Sequence, residues 1–125
     1  MKTVGNDKTA IHDTASWAEV VVLTVPFVAI DDIVKHVGSA LDGKIVIDAT
    51  NALDAQMNLA VGFNTSGVEN LQRKVPKAPL VKAFNTVFAQ HMGSESFGDE
   101  ALSAFVAGDD ADAKTTVLEL AVVAT

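Results

Sequence analysis

The sequence predicts a doubly wound α/β domain: a mainly parallel sheet of about four strands with flanking helices. Three observations predict it. Val20-Val21-Val22-Leu23-Thr24-Val25-Pro26-Phe27 is a short apolar run with four valines, closed by a proline, as expected of a strand buried on both faces. A helical pattern and a second apolar run follow it, which together make a βαβ unit with a right-handed crossover. Finally, three predicted strands end in small polar residues, at Thr24-Val25-Pro26, Asp48-Ala49-Thr50-Asn51 and Phe84-Asn85-Thr86. In a parallel sheet such ends share one edge, which is where ligands bind in open α/β folds.

Taken in order, residues Met1 to Lys8 are weakly patterned, with Gly5-Asn6-Asp7 a turn and Thr9-Ala10-Ile11 a very short strand. Asp13 or Thr14 caps a helical turn that ends at Trp17, a packing residue. After the first long strand, Ile30, Ile33, Val34, Val37 and Leu41 mark one buried helical stripe, with Asp31 and Asp32 in the first turn and His36 on the solvated side. Asp42-Gly43 turns the chain into the strand Lys44–Ala49. A mixed loop over 52–64 leads to Ser66 and Glu69, which have the S-x-x-E spacing of a capping box for a helix to about Lys74. Pro76 and Pro79 end that helix, and Leu80–Phe84 is a third strand. Phe88 to Met92 reads as a helical turn and Gly93 to Glu100 as a loop. Leu102–Ala107 reads as a fourth strand. Asp109 or Asp110 caps a last helix whose buried face holds Ala113, Val117, Leu120, Ala121 and Ala124, widened by Val122 and Val123.

Composition narrows the function. With 125 residues the chain fits a single domain or a piece of one, and at 49% hydrophobic it can fill a core. A net charge of −7 argues against nucleic-acid backbone binding, though not against a nucleotide held by backbone N–H groups. The absence of cysteine excludes disulfides, zinc–thiolate sites and cysteine nucleophiles, and fits a cytoplasmic protein. No stretch reaches the roughly 18 apolar residues of a membrane span. His12, His36 and His91 lack ligand spacing, so no metal site is expected. Nor does any acid–base pair stand out, so no catalytic side chain is assigned, and chemistry at the strand ends would be a cofactor's.

The segments VVVLTVPF (20–27), GKIVIDATN (43–51), TSGVE (65–69), VKAFNTV (81–87) and FVAGDD (105–110) occur in this order. Together they resemble the NADP oxidoreductases dependent on coenzyme F(420), a deazaflavin, over roughly residues 9 to 125. The resemblance implies a Rossmann-like fold and hydride transfer between NADP(H), or NAD(H), and the deazaflavin or another acceptor, with no protein acid or base. It also implies that Thr24, Val25, Pro26 and Phe27 border the nicotinamide and its ribose. Ala49, Thr50 and Asn51, with Phe84, Asn85 and Thr86, would close the same crevice.

The sequence departs from that pattern in lacking the family's G-x-G-x-x-G fingerprint and its following strand, which hold the pyrophosphate and select the 2′-phosphate. The expectation is a single incomplete domain over 1–125, truncated at both ends, that carries the nicotinamide side alone. Val20–Val25 would then be an open apolar edge, favouring a homo-oligomer or a partner chain. The alternatives are a non-catalytic α/β interaction module or one half of a split enzyme.

Overall fold

The computed structural model describes residues 7–93 and 96–124. Three parallel strands form the centre: β1 (Val20–Leu23), β2 (Ile45–Asp48) and β3 (Leu80–Ala83). A hairpin of β4 (Ser96–Phe97) and β5 (Glu100–Ala101) stands apart, and β6 (Val106–Ala107) joins β3 antiparallel. The main sheet runs β1-β2-β3-β6, so it is mainly parallel and β1 is an edge.

Side chains alternate across the strands and split the core in two. Val46 and Leu80 face a cluster shared with α1 (Lys8–Trp17), α2 (Ile30–Val37) and α3 (Gly67–Lys74) through Ala15, Ile30, Val37 and Leu71. Ile47, Val81 and Ala83 face the opposite way, against Ala113 and Val117 of α4 (Ala111–Ala124). Helices therefore cover both faces, which is the predicted fold class.

The capping box forms as its spacing requires. Ser66 Oγ accepts from the Glu69 N–H at 3.2 Å, and Glu69 Oε2 accepts from the Ser66 N–H at 2.7 Å. Asp110 caps α4 by accepting from the Ala113 N–H at 2.8 Å. The turn after β3 is a 3-10 turn over Ala89–His91.

Several expectations are corrected. Thr9–Ile11 is helical, not a strand, because Asp7 accepts from the Thr9 and Ala10 N–H groups at 3.0 and 3.2 Å and starts α1 there. Three alternating residues are too few to distinguish the two periods, and Ile11 and Ala15 form a helical i, i+4 stripe. Trp17 does not pack: it is 69% exposed, two residues and so about 200° round the helix from Ala15. The last turn of α1 contains no basic residue, and Lys44 at the head of β2 instead donates to the carbonyls of Ala15 and Ser16. The helix after β1 changes to a 3-10 turn over Gly38–Leu41, since Gly38 at φ +51 leaves the α-helical region. His36 is half-buried rather than solvated, held one turn from Asp32 with Nδ1 3.6 Å from its carboxylate.

The fourth strand shrinks to Val106–Ala107, and the predicted loop before it holds the β4–β5 hairpin. Beyond β6 the ladder stops where Gly108 passes β3; a Cβ there would lie 2.8 Å from the Leu80 carbonyl oxygen. On α4 the buried stripe is Ala113, Val117 and Ala121, whereas Leu120 and Val122 are exposed. The side chains of Val123 and Ala124, and most of the turn proposed at Gly5–Asp7, lie outside the described residues.

Candidate functional site

The ends of β1, β2 and β3 emerge side by side and leave a cleft of about 530 Å³. All ten residues named from the strand exits line it: Thr24, Val25, Pro26 and Phe27, then Ala49, Thr50 and Asn51, then Phe84, Asn85 and Thr86. Sequence reading missed four more, Val87, Phe88, Ala89 and Met92, which continue the third wall. Their signal was position alone, directly after the third strand exit.

Each wall has a local cause. Pro26 follows β1 beyond the ladder's last bond at Leu23, and its carbonyl accepts from the Ala29 N–H at 2.9 Å in the 3-10 turn Phe27–Ala29. This sets the Phe27 ring against the start of α3, where only a glycine fits: a Cβ on Gly67 would lie 2.9 Å from Phe27 Cε2 and 3.2 Å from Ala52 Cβ. Phe27 also separates the cleft from a smaller cavity of about 240 Å³ beside Asp31 and Lys74. The Lys74 amine pairs with Asp31, and this hydrogen bond holds the carboxyl below its ordinary pKa.

At the third wall Phe84 has φ +64, a left-handed conformation that costs a non-glycine residue about 1–3 kcal/mol. Such strain concentrates at functional sites, and here it turns the chain so that Asn85 Nδ2 donates to Asn51 Oδ1 at 3.2 Å across the crest.

Beneath the middle wall is an ion pair between a buried carboxylate and a half-buried lysine, which the sequence did not suggest. Asp48 and Lys82 are register partners on adjacent strands, with Nζ 3.1 Å from Oδ2. Asp48 is fully buried, and its Oδ1 accepts from the Thr50 N–H at 2.8 Å. The Lys82 amine also donates to the Thr50 carbonyl. Thr50 itself is only 5% exposed, and its Oγ1 has no hydrogen-bond partner among the described residues.

The lining is uncharged: it holds three phenylalanines, small aliphatics, Met92, three threonines (Thr24, Thr50 and Thr86), two asparagines and no acid or base. Such a cleft can seat a flat, neutral ring and offer it amides and hydroxyls, but it cannot neutralise a phosphate by charge or supply a titrating group. Among the described residues no cluster of three or more His, Asp or Glu could hold a metal ion, and no helix is long and apolar enough to cross a membrane.

A crevice at the carboxyl ends of parallel strands, with helices on both faces, defines a Rossmann-like α/β domain. Residues 2–52 match the family model described as NADP oxidoreductase, coenzyme F(420)-dependent. The chain superimposes on the crystal structure of a candidate F(420)-dependent NADP reductase from Arthrobacter sp. FB24, with a TM-score of 0.83 and 32% identity, over 91% of this chain and 55% of that one. It likewise matches a hypothetical protein from Sinorhizobium meliloti, with a TM-score of 0.77 and 34% identity, over 90% of this chain and 55% of that one. The chain is thus similar to the coenzyme F(420)-dependent NADP oxidoreductases, as its motifs indicated, and it spans about half the length of these two structures.

Proposed function

We propose that the cleft is the nicotinamide end of an NADP(H) site, and that the chain serves hydride transfer between NADP(H) and a deazaflavin or a similar acceptor. The observation that carries this reading is the wholly uncharged cleft at three parallel strand exits. The nicotinamide supplies the hydride chemistry when bound, so the protein needs no acid or base. The work left to the residues is to bind, to orient and to exclude water. Pro26, Phe27 and Phe84 wall off solvent, while Asn51, Asn85 and the Thr50 hydroxyl offer hydrogen bonds to neutral groups of the ligand.

The residues fit the ring end of the cofactor better than its phosphate end. No G-x-G-x-x-G is present in the sequence, and no lining residue is cationic. Dinucleotide binding by this chain alone is therefore expected to be weak. Titration with NADPH, followed by its fluorescence and by amide chemical shifts, tests the reading. Shifts confined to the strand exits, at a Kd above about 10 µM (roughly 7 kcal/mol), are expected. Binding that leaves those residues unmoved would refute the site, and no binding at millimolar NADPH would refute the function. NADP rather than NAD, the deazaflavin as acceptor, and a cytoplasmic location belong to this proposal.

A second reading is favoured by the open β1 edge. A partner chain, either a second copy or a glycine-rich half, would pair there and complete the site.

A further inference from the structure

Thr50 is held in an unusual way. Its N–H goes to Asp48 Oδ1 at 2.8 Å, its carbonyl accepts from Lys82 Nζ, and Asp48 and Lys82 are themselves paired at 3.1 Å. One ion pair, buried at Asp48 and half-buried at Lys82, therefore closes a ring around the backbone of a single cleft residue. Both backbone groups are satisfied, and only the side-chain hydroxyl lacks a partner, although the residue is almost wholly buried. A buried polar group normally finds a hydrogen bond, and leaving one unmade is costly. Asp48 is itself wholly buried, and a carboxylate taken out of water is costly unless it is paired, as it is here with the half-buried Lys82.

We infer that Asp48 and Lys82 are positioning residues that present the Thr50 hydroxyl to an uncharged hydrogen-bonding group of the ligand, either a carboxamide or a sugar hydroxyl. The inference rests on the nicotinamide reading above and deepens it by naming the atom and the ligand chemistry it meets. A phosphate is the wrong partner, since no cationic side chain lines the cleft and the nearby lysine is already paired. The hydroxyl can donate to a carbonyl or accept from an N–H or O–H, so it suits a neutral amide or ribose.

The experiment uses the full chain with NADPH and with the 3-acetylpyridine analogue, whose ring carries a methyl ketone in place of the amide. Thr50→Val should leave the thermal midpoint unchanged or raised, because the hydroxyl binds nothing in the free protein, and should weaken NADPH about tenfold. Thr50→Ser should restore binding to within about twofold. If the partner is the carboxamide N–H, the analogue loses affinity for the wild type and Thr50→Val costs it nothing further. If the partner is the ribose or the carbonyl, Thr50→Val weakens both ligands equally. Either pattern supports the inference.

Lys82→Met should also weaken binding, but not when added to Thr50→Val, since it acts through Thr50. Asp48→Asn provides the same test should Lys82→Met fail to fold. A fall in the midpoint of Thr50→Val by several degrees would show that the hydroxyl is bound within the protein and would overturn the inference. Unchanged NADPH affinity in Thr50→Val, with the wild type binding, would overturn this inference alone. Failure of the wild type to bind either dinucleotide would overturn the nicotinamide reading and this inference with it.

Discussion

Asn85 and Asn51 meet across the crest of the sheet, Nδ2 to Oδ1 at 3.2 Å, and so tie the exit of β3 to the exit of β2. Both residues line the cleft, and the bond lies outside the core. An exposed neutral hydrogen bond contributes only about 0.5–1.5 kcal/mol to folding, so Asn85→Ala should lower stability by no more than that. Its larger effect should be on ligand affinity, because the same amide sets the spacing of two walls. Urea unfolding and NADPH titration of Asn85→Ala and Asn51→Ala check this together. A stability loss well above this range with unchanged binding would make the pair structural.

Gly108 follows β6 at the point where the chain crosses β3, and any Cβ there would lie 2.8 Å from the Leu80 carbonyl oxygen and 3.5 Å from Val81 Cα. The obstacle is backbone, which cannot swing aside as a side chain can. Gly108→Ala should therefore push β6 off β3 and cost about 1–3 kcal/mol, the range for overpacking a close contact. Hydrogen exchange should show the loss concentrated at Val106 and Ala107 and at Lys82 and Ala83, their ladder partners. Gly43→Ala is the comparison: its φ of +73 makes it strained in a different way, with open space around it, so the β3–β6 ladder should be unaffected.

Two carboxyls connect stability to pH. Glu69 is held below its ordinary pKa by the hydrogen bonds of the Ser66 cap, and Asp31 by its hydrogen bond from Lys74. Each is easier to ionise in the folded protein than in the unfolded chain. Their contributions are therefore complete above the ordinary carboxylate range and are lost as the pH falls through the depressed values. The thermal midpoint should hold steady near neutrality and fall in acid. In Glu69→Gln the acid fall should be shallower, because glutamine can still accept the cap hydrogen bond but does not titrate. Added salt should weaken the Asp31–Lys74 part, which is exposed to solvent.

Much of the fold was legible because its signals are local. The apolar runs at 20–23, 45–48 and 80–83 are strands, and the Ser66–Glu69 spacing is a capping box. The cleft lining was legible for a related reason: once strands are parallel, their exits must meet on one edge, so Thr24, Thr50 and Asn85 could be placed together without knowing any contact. The features that were not legible depend on which partners a segment meets, near or distant. Whether Thr9–Ile11 is helix or strand depends on Asp7, and the shortness of β6 depends on how close it must pass to Leu80. Lys82 is only an interruption in an apolar run when seen in sequence. Its pairing with Asp48 requires the register of β2 on β3, which 31 intervening residues between those strands set through packing rather than through any local pattern.

The edge strand gives the last prediction. Leu23 faces β2, since its carbonyl accepts from the Ala49 N–H at 3.2 Å, so by alternation Val20 and Val22 turn their N–H and C=O groups to the outer side. Among the described residues no strand pairs with them, and Val20–Leu23 holds no charge, proline or bulge to guard the edge. Val22 is 47% exposed, which leaves an apolar side chain beside the open ladder. Two copies can satisfy both edges at once by antiparallel pairing of β1 about a two-fold axis, because the same patch serves both subunits. The chain should therefore associate as concentration rises in sedimentation velocity. Val22→Lys, a typical edge guard at an exposed position, should return it to monomer with little change in thermal midpoint. A wild type that stays monomeric at high concentration, or a lysine variant that associates equally well, would exclude this edge as the interface.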